Sequence, residues 1–515
     1  METRAQYGFE IPPDAIPDNQ ITDILEAEVV VVGAGTAGLV CANSAVENGL
    51  KVILISASSC PVARGGSTHA INSKLMHELG IDYDVARNFK REMDRAGGRI
   101  DQGKWYLFAR RSGEAMDWLM DKMVAAGYIP VLERGGVDPD GILSTFQGSH
   151  CFITEKGKKN VSMGQPLVVK TLSSLAEQAG VQVHYRRIAR QLVRENNNTG
   201  RVTAVIAANP EGEYIKCVGS KAVVLATGDF TKDTEMVSKY CPEVLPLVDR
   251  SPVNYDTQFA YGGIYAGDGH KMAMWIGAAW QHTVPNAPML RSAAGPSTQP
   301  YQGFKGLMVN KYAMRYCNED MNNTHASFIQ MRQPDWKVVM IWDAAYAERM
   351  APWYRQGSGI DGPEQKIEDV LAEWESGVKA GRIFKSETIE ELAGMLDLDA
   401  ETLGETLDRY NGFCGTGVDE DFYKPARLLV PVTHGPFYGQ PSNAPILLIV
   451  CGGLRTNVKM QVLDNGNEVI PGLYAVGTIV GDMFAGYYTF LPSGINLGST
   501  CLTFPYLVGK ELADM

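Results

Sequence analysis

The 515-residue sequence is short of several things. Its nine cysteines, Cys41, Cys60, Cys151, Cys217, Cys241, Cys317, Cys414, Cys451 and Cys501, are scattered and never form a Cys-x-x-Cys pair. That spacing excludes a disulfide framework, a zinc ribbon, an iron–sulfur cluster and a c-type haem. Positive charge is in deficit: 47 basic against 59 acidic residues give a net charge of -12, the wrong sign for gripping nucleic-acid phosphates. No apolar run approaches the roughly 18 residues of a membrane helix, so no membrane span is expected. The opening stretch METRAQYGFEIPPDAIPDNQITDILEA has acids and prolines where a secretory signal has basic residues and an apolar core. Gly and Pro together make about 15% of the chain, with no low-complexity tract. These absences predict a soluble, unprocessed, cytoplasmic protein whose partner is a small-molecule substrate.

What is present is an ordinary globular composition, 45% hydrophobic and 21% charged, long enough for two domains or one domain with an insertion. Residues 1–26 read as an irregular, Pro-bearing arm. VVVV at Val29–Val32 reads as a buried parallel strand, LVCANSAVENG as a helix and KVILIS as a second strand, which together form a β-α-β unit. VQVHYRRIARQLVREN and RVTAVIAAN read as an antiparallel excursion leading to a third buried strand, AVVLATG. From about Pro285 to Pro441 the pattern turns aromatic and helical, and the last 70 or so residues return to strands and a terminal helix. The class is therefore α/β: a Rossmann-like nucleotide-binding domain in two parts, 27–284 and 441–515, split by an inserted α+β capping domain at 285–440.

Gly33-x-Gly35-x-x-Gly38 falls between the first strand and the helix. There one glycine permits the tight turn, the next lets backbone approach a pyrophosphate, and the third packs helix on strand; the helix N-terminus faces the phosphates. Thr36 and Ala37 belong to the same turn. The second strand ends in Ser56-Ala57 where such units usually carry an acid, and a hydroxyl would hold a ribose oxygen less strongly.

These features are accompanied by ARGGSTHAIN, VVLATGDF, Ala266-Gly267-Asp268-Gly269, Arg315 through Asn318-Glu319, Gly452-Gly453, and PGLYAVG with SGINLG. In that order the chain resembles the flavoprotein superfamily of fumarate reductase and succinate dehydrogenase, which includes urocanate reductase and the 3-ketosteroid dehydrogenases. The resemblance implies FAD, a mobile cap and chemistry at a carbon–carbon bond beside an electron-withdrawing group. It assigns to the cofactor Gly33, Gly35, Thr36, Ala37, Gly38, Ser56, Ala57, Arg64, Gly65, Gly66, Ser67, Thr68, Ala70, Ile188, Ala226, Thr227, Gly228, Asp268, Gly477, Asp482, Ser493, Gly494, Ile495, Asn496 and Leu497. Ser59 stands where the succinate dehydrogenase branch tethers flavin to a histidine, so noncovalent FAD is expected. His69 is expected to pack beside the flavin loop.

The resemblance also marks what is missing on the substrate side. Asn323 occupies the position of the proton-donating arginine, Ile446–Cys451 contains no histidine, and no arginine precedes the final flavin helix. Two carboxylates have nothing to clamp them, so fumarate and succinate are not expected as substrates. Aromatic residues stand instead: Tyr487, Tyr488 and Phe490, with Trp280, Tyr301, Tyr312 and Tyr316 toward the cap. They suit a flat, neutral molecule. Catalytic candidates are Tyr488, Tyr487, Ser493 and Tyr301, with a tyrosine as proton donor. The expected reaction is reduction of an activated C=C bond in an aromatic or steroidal enone. Alternatives are the reverse dehydrogenation of a ketosteroid-like compound, an electron-transferring subunit, and a nicotinamide-dependent hydroxy-acid dehydrogenase. The electron donor stays open among NAD(P)H, reduced flavin and a redox protein.

Overall fold

The computed structural model describes residues 7–134, 148–156, 164–250, 265–291, 306–320, 323–349, 359–360, 367–442, 444–488, 490 and 493–515. Its centre is an eight-stranded sheet. Strand β1 (Ile21–Val32) pairs in parallel with β2 (Val52–Ile55) on one side and with Tyr214–Leu225 on the other, with helix α1 (Thr36–Glu47) between β1 and β2. Val29–Val32 and Val52–Ile55 are buried because a parallel sheet covered on both faces leaves no wet side. Gln182–His184 extends the sheet beyond β2, and Val469–Ala475 extends it beyond Tyr214–Leu225.

Register places the functional turns together. Val32 lies opposite Ile55 and Leu225, and Leu225 lies opposite Ala475. The turns that follow, at Gly33, Ser56, Ala226 and Gly477, therefore leave the sheet along one edge, the carboxyl ends where open α/β sheets bind ligands.

Three local readings differ from the sequence-based ones. The strand β1 begins at Ile21, inside the stretch read as an irregular arm, because Ile21–Ala27 finds a partner in Tyr214–Gly219 while remaining largely exposed. The run VQVHYRRIARQLVREN is two strands: Arg186 takes φ +55 and turns the chain from the central sheet into the hairpin Ile188–Arg194 with Val202–Ala208. The terminal helix contains a π-helical segment, Ser499–Thr503, just before Pro505. Pro505 lacks an N–H for the i−4 carbonyl, and Thr503 Oγ1 bonds Gly498 O at 2.6 Å across the widened turn.

The segment between the two parts of this sheet carries its own four-stranded sheet, in the order Leu307–Asn310, Val338–Asp343, Phe437–Pro441 and Phe384–Ser386. The helices Ile367–Lys379, Ile389–Leu396 and Ala400–Thr416 cover it around two apolar clusters, one built on Trp342 and Trp374 and the other on Leu403, Leu407 and Tyr410. No helix among the described residues is long and apolar enough to cross a membrane.

Candidate active site

The β1–α1 turn has the shape its glycines predict. Gly33 takes φ +119, and a Cβ there would meet Ala226 O at 2.4 Å. A Cβ on Gly38 would meet Gly33 O at 1.8 Å, so the helix lies directly on the turn. Gly35 faces open space, with no atom within 4 Å of its added Cβ, and as N-cap of α1 it leaves the helix amides without a side-chain cap. An uncapped helix N-terminus behind an open glycine fits a pyrophosphate. Around it, Thr36 and Ala37 open the helix, Ala226 N donates to Val32 O at 2.8 Å, and Gly477 with φ +86 brings its backbone against the Ala37 methyl. Thr227 approaches Gly269 so closely that a Cβ on the glycine would lie 2.1 Å from Thr227 Oγ1, which sets the helix beginning at Asp268 against the end of the third strand; Gly228 follows with φ +81.

Ser56 and Asp482, both assigned to the cofactor by the resemblance, also bond to protein. The buried Ser56 hydroxyl accepts from Ala34 N–H at 3.2 Å and pairs with Ser58 Oγ at 2.7 Å, so it fastens its own turn. Ala57 is half-buried beside it, and Arg187 N donates to Ser56 O at 2.8 Å just before Ile188 opens the next strand. The Asp482 carboxylate accepts from His282 N at 2.9 Å, His282 Nδ1 at 3.0 Å and Thr283 N at 3.1 Å. It holds the 281–283 turn.

The Gly-Gly loop and the final helix are interlocked. Gly494, φ +78, approaches Ser67 O so closely that a Cβ would lie at 2.3 Å, and a Cβ on Gly498 would lie 1.8 Å from His69 O. His69 N donates to Gly494 O at 3.0 Å, and Ser67 Oγ lies 3.3 Å from Ser493 Oγ. The Ser493 carbonyl accepts from Ser149 Oγ at 2.7 Å and meets His69 Nδ1 at 3.1 Å. Burial holds His69 neutral, lowering its pKa to about 3, and its Nε2 meets Tyr83 Oη at 3.1 Å, so it packs as a structural imidazole. Gly65 and Gly66 stay partly open, Ala70 is buried, and Leu497 lies 3.2 Å from the Cβ a side chain at Gly66 would carry. Gly494 caps the helix entering Ile495–Gly498 with no side-chain bond, and the Asn496 amide at its start turns to the Tyr488 phenol. Arg64 pairs with Asp229 at 3.1 Å and lies over the Tyr265 ring at 3.7 Å. Gln165 escaped the sequence reading: buried, it bonds Thr68 Oγ1 at 2.8 Å and reaches Thr36 Oγ1 at 3.5 Å, joining the two glycine loops.

Among the aromatic candidates, Tyr488 stands apart. Its ring is 2% exposed, packed edge-on against Phe484 and Phe490 with centroids 5.0 Å away in each case. Its phenol accepts from Asn496 N–H at 3.4 Å, which leaves its own hydrogen for donation. Burial pushes the phenol above its ordinary range, so the group stays protonated. Tyr487 donates instead to Arg95 O at 3.2 Å and packs on His325. Trp280 stacks on Tyr240 at 3.7 Å in a core cluster, Tyr312 is exposed, and Tyr316 packs against the cap core. Tyr301 lies outside the described residues.

A family model described as the FAD binding domain matches residues 28–491. The chain belongs to that family. FAD is its cofactor, and it is an FAD-dependent oxidoreductase of carbon–carbon bonds in the fumarate reductase and succinate dehydrogenase flavoprotein superfamily. The vinyl phenol reductase of Lactiplantibacillus plantarum is 26% identical over 94% of this chain and 95% of its own length. The urocanate reductase of Eggerthella lenta is 27% identical over 96% of this chain and 74% of its own. A solved 3-ketosteroid-Δ4-(5α)-dehydrogenase from Rhodococcus jostii, in complex with 4-androstene-3,17-dione, has a TM-score of 0.74 at 23% identity, covering 98% of this chain and 100% of that one, which establishes the shared fold. The nicotinamide reading is set aside.

Proposed function

We propose that this FAD enzyme reduces an activated C=C bond in a neutral, flat, aromatic or enone-type molecule, with Tyr488 as proton donor and FAD bound noncovalently. The observation that carries the reading is Tyr488: a buried, protonated phenol among aromatic rings, at the amide of Asn496 where the final helix begins. Bound FAD supplies hydride chemistry. Tyr488 delivers the proton to the carbon that the reduction leaves electron-rich, and a phenol kept protonated by burial can do so at neutral pH. Phe484 and Phe490 offer apolar faces to a conjugated substrate and exclude water. The segments Gly33–Gly38, Gly65–Thr68 and Ser493–Leu497 supply backbone and helix ends to the cofactor. The sequence has no arginine at 323 and no histidine in Ile446–Cys451 to bind a dicarboxylate. The similarity to a vinyl phenol reductase along nearly the full length of both proteins favours reduction of a neutral conjugated alkene.

The reverse reading, dehydrogenation of a ketosteroid-like compound, draws on the similarity to 3-oxosteroid 1-dehydrogenases. Turnover with a reduced dye as electron donor, compared with turnover with an oxidised dye as acceptor, tests the direction. Faster reaction with the donor is expected. Reaction with the acceptor alone would replace the reductase reading with the dehydrogenase one.

A further inference from the structure

Most buried polar groups around the Gly66–Ala70 loop satisfy one another, and Glu133 does not. It stands near the end of the strand Ile129–Arg134, which pairs with Ser149–Ile153 and through it with Thr68–His69. The side chain is 4% exposed, and neither carboxylate oxygen has a hydrogen-bond partner among the described residues. A buried carboxylate in that condition is costly unless it holds a proton.

The polar neighbours of this carboxyl are the hydroxyls of Ser67 and Ser493, themselves 3.3 Å apart where the Gly-Gly loop meets the final helix. The adjacent strand contributes the Cys151 thiol, which burial pushes up and keeps neutral. His69 and His150 are also neutral, with pKa values lowered by burial to about 3 and about 4. On the far side the strand pairs with the backbone of Gly359–Ile360. No charged group among the described residues offsets Glu133, and burial pushes its carboxyl up to about 7, where it exchanges protons at neutral pH.

We propose that Glu133 is a positioning acid for the bound flavin, taking up a proton past the Ser67 and Ser493 hydroxyls when FAD is reduced and releasing it when FAD is reoxidised. The inference rests on FAD lying against Gly65–Thr68 and Ser493–Leu497. Two-electron reduction that places one proton on the ring leaves it with one negative charge, and that charge raises the proton affinity of a nearby carboxyl. The carboxylate then gains a proton from solvent and one O–H bond forms, with no change in the oxidation state of Glu133. When the substrate accepts the electrons the negative charge disappears, the O–H bond breaks and the proton leaves past the hydroxyl pair.

The test is the midpoint potential of the bound flavin against pH, measured on the holoenzyme with an electrode or dithionite, for wild type and Glu133→Gln. Above pH 7 the wild type is expected to take up additional protons, up to one per two electrons, relative to the variant, so its potential falls more steeply with pH. Parallel lines would overturn the proposal. Reduced-minus-oxidised infrared difference spectroscopy of the wild-type holoenzyme needs no variant: a protonated-carboxyl C=O band is expected to grow on reduction. Its absence overturns the proposal even if Glu133→Gln fails to fold. Neither measurement uses a substrate, so an error in the substrate reading leaves both unchanged. A wild-type protein that bound no flavin would overturn the cofactor placement on which the proposal rests.

Discussion

Replacing Gly35 by alanine separates the needs of the protein from those of its cofactor. Gly35 sits at φ -82, ψ 179, extended backbone that alanine adopts without strain, and its added Cβ meets nothing within 4 Å. Loss of unfolded-state freedom favours alanine by about 0.4–1 kcal/mol. Alanine is also a poorer N-cap than glycine, by about 0.5 kcal/mol. The two nearly cancel, so urea unfolding of the Gly35→Ala apoprotein is expected to stay within about 0.5 kcal/mol of wild type. The methyl group nevertheless stands where the pyrophosphate would approach the helix amides, so FAD titration followed by flavin fluorescence should show affinity weakened at least about tenfold, or about 1.4 kcal/mol. Gly38→Ala behaves differently, because its Cβ would lie 1.8 Å from Gly33 O and the apoprotein itself should lose about 1–3 kcal/mol. A stable Gly35→Ala protein with unchanged FAD affinity would refute the placement of the pyrophosphate.

Other expectations follow from the same contacts. Tyr488→Phe should retain flavin and lose roughly 10²–10⁴-fold in turnover in steady-state assays, whereas Tyr487→Phe forfeits one bond to the Arg95 carbonyl and should cost about 0.5–1.5 kcal/mol of stability in urea. In the cap, Arg315 bonds Glu319 and Asp419 at 2.8 Å each, both carboxylates fully enclosed; Arg315→Met should destabilise by about 3 kcal/mol in chemical unfolding because it takes the guanidinium from Asp419 while Glu319 keeps Lys424 at 3.3 Å. The folded-state pKa of Glu133 is raised, so the native protein binds the extra proton between the unfolded value of about 4.3 and about 7. Relative to Glu133→Gln, wild-type apoprotein should therefore lose about 3–4 kcal/mol of stability as pH rises through that window, and no pH dependence in the difference would contradict the burial of an ionisable carboxyl.

The central β-α-β unit was legible because its information is local: a buried apolar run, three glycines at fixed spacing and a second apolar run. The exposed half of β1 was not, since Ile21–Ala27 carries polar residues and becomes a strand only through Tyr214–Gly219, nearly two hundred residues away. The glycine frame of the final helix was readable, while its π-helical turn, just before Pro505, is marked only by the Thr503 hydroxyl bonding Gly498 O. The resemblance assigned Asp482 and Ser56 to the cofactor, and what the sequence did not show is that both side chains also accept from neighbouring backbone amides. Glu133 and Gln165 carried no sequence signal, because their burial is made by strands and helices brought together from distant parts of the chain.

The most direct test of the central claim is anaerobic. The holoenzyme is reduced with dithionite, excess reductant is removed, and recovery of the oxidised flavin band is followed as a vinyl phenol, a cinnamate, an isoflavonoid, a 3-ketosteroid enone and fumarate are added to separate samples. Rapid reoxidation by a neutral conjugated compound, slowed in Tyr488→Phe, with fumarate inert, is the predicted result. Reoxidation by fumarate alone, or at the same rate in Tyr488→Phe, would contradict it.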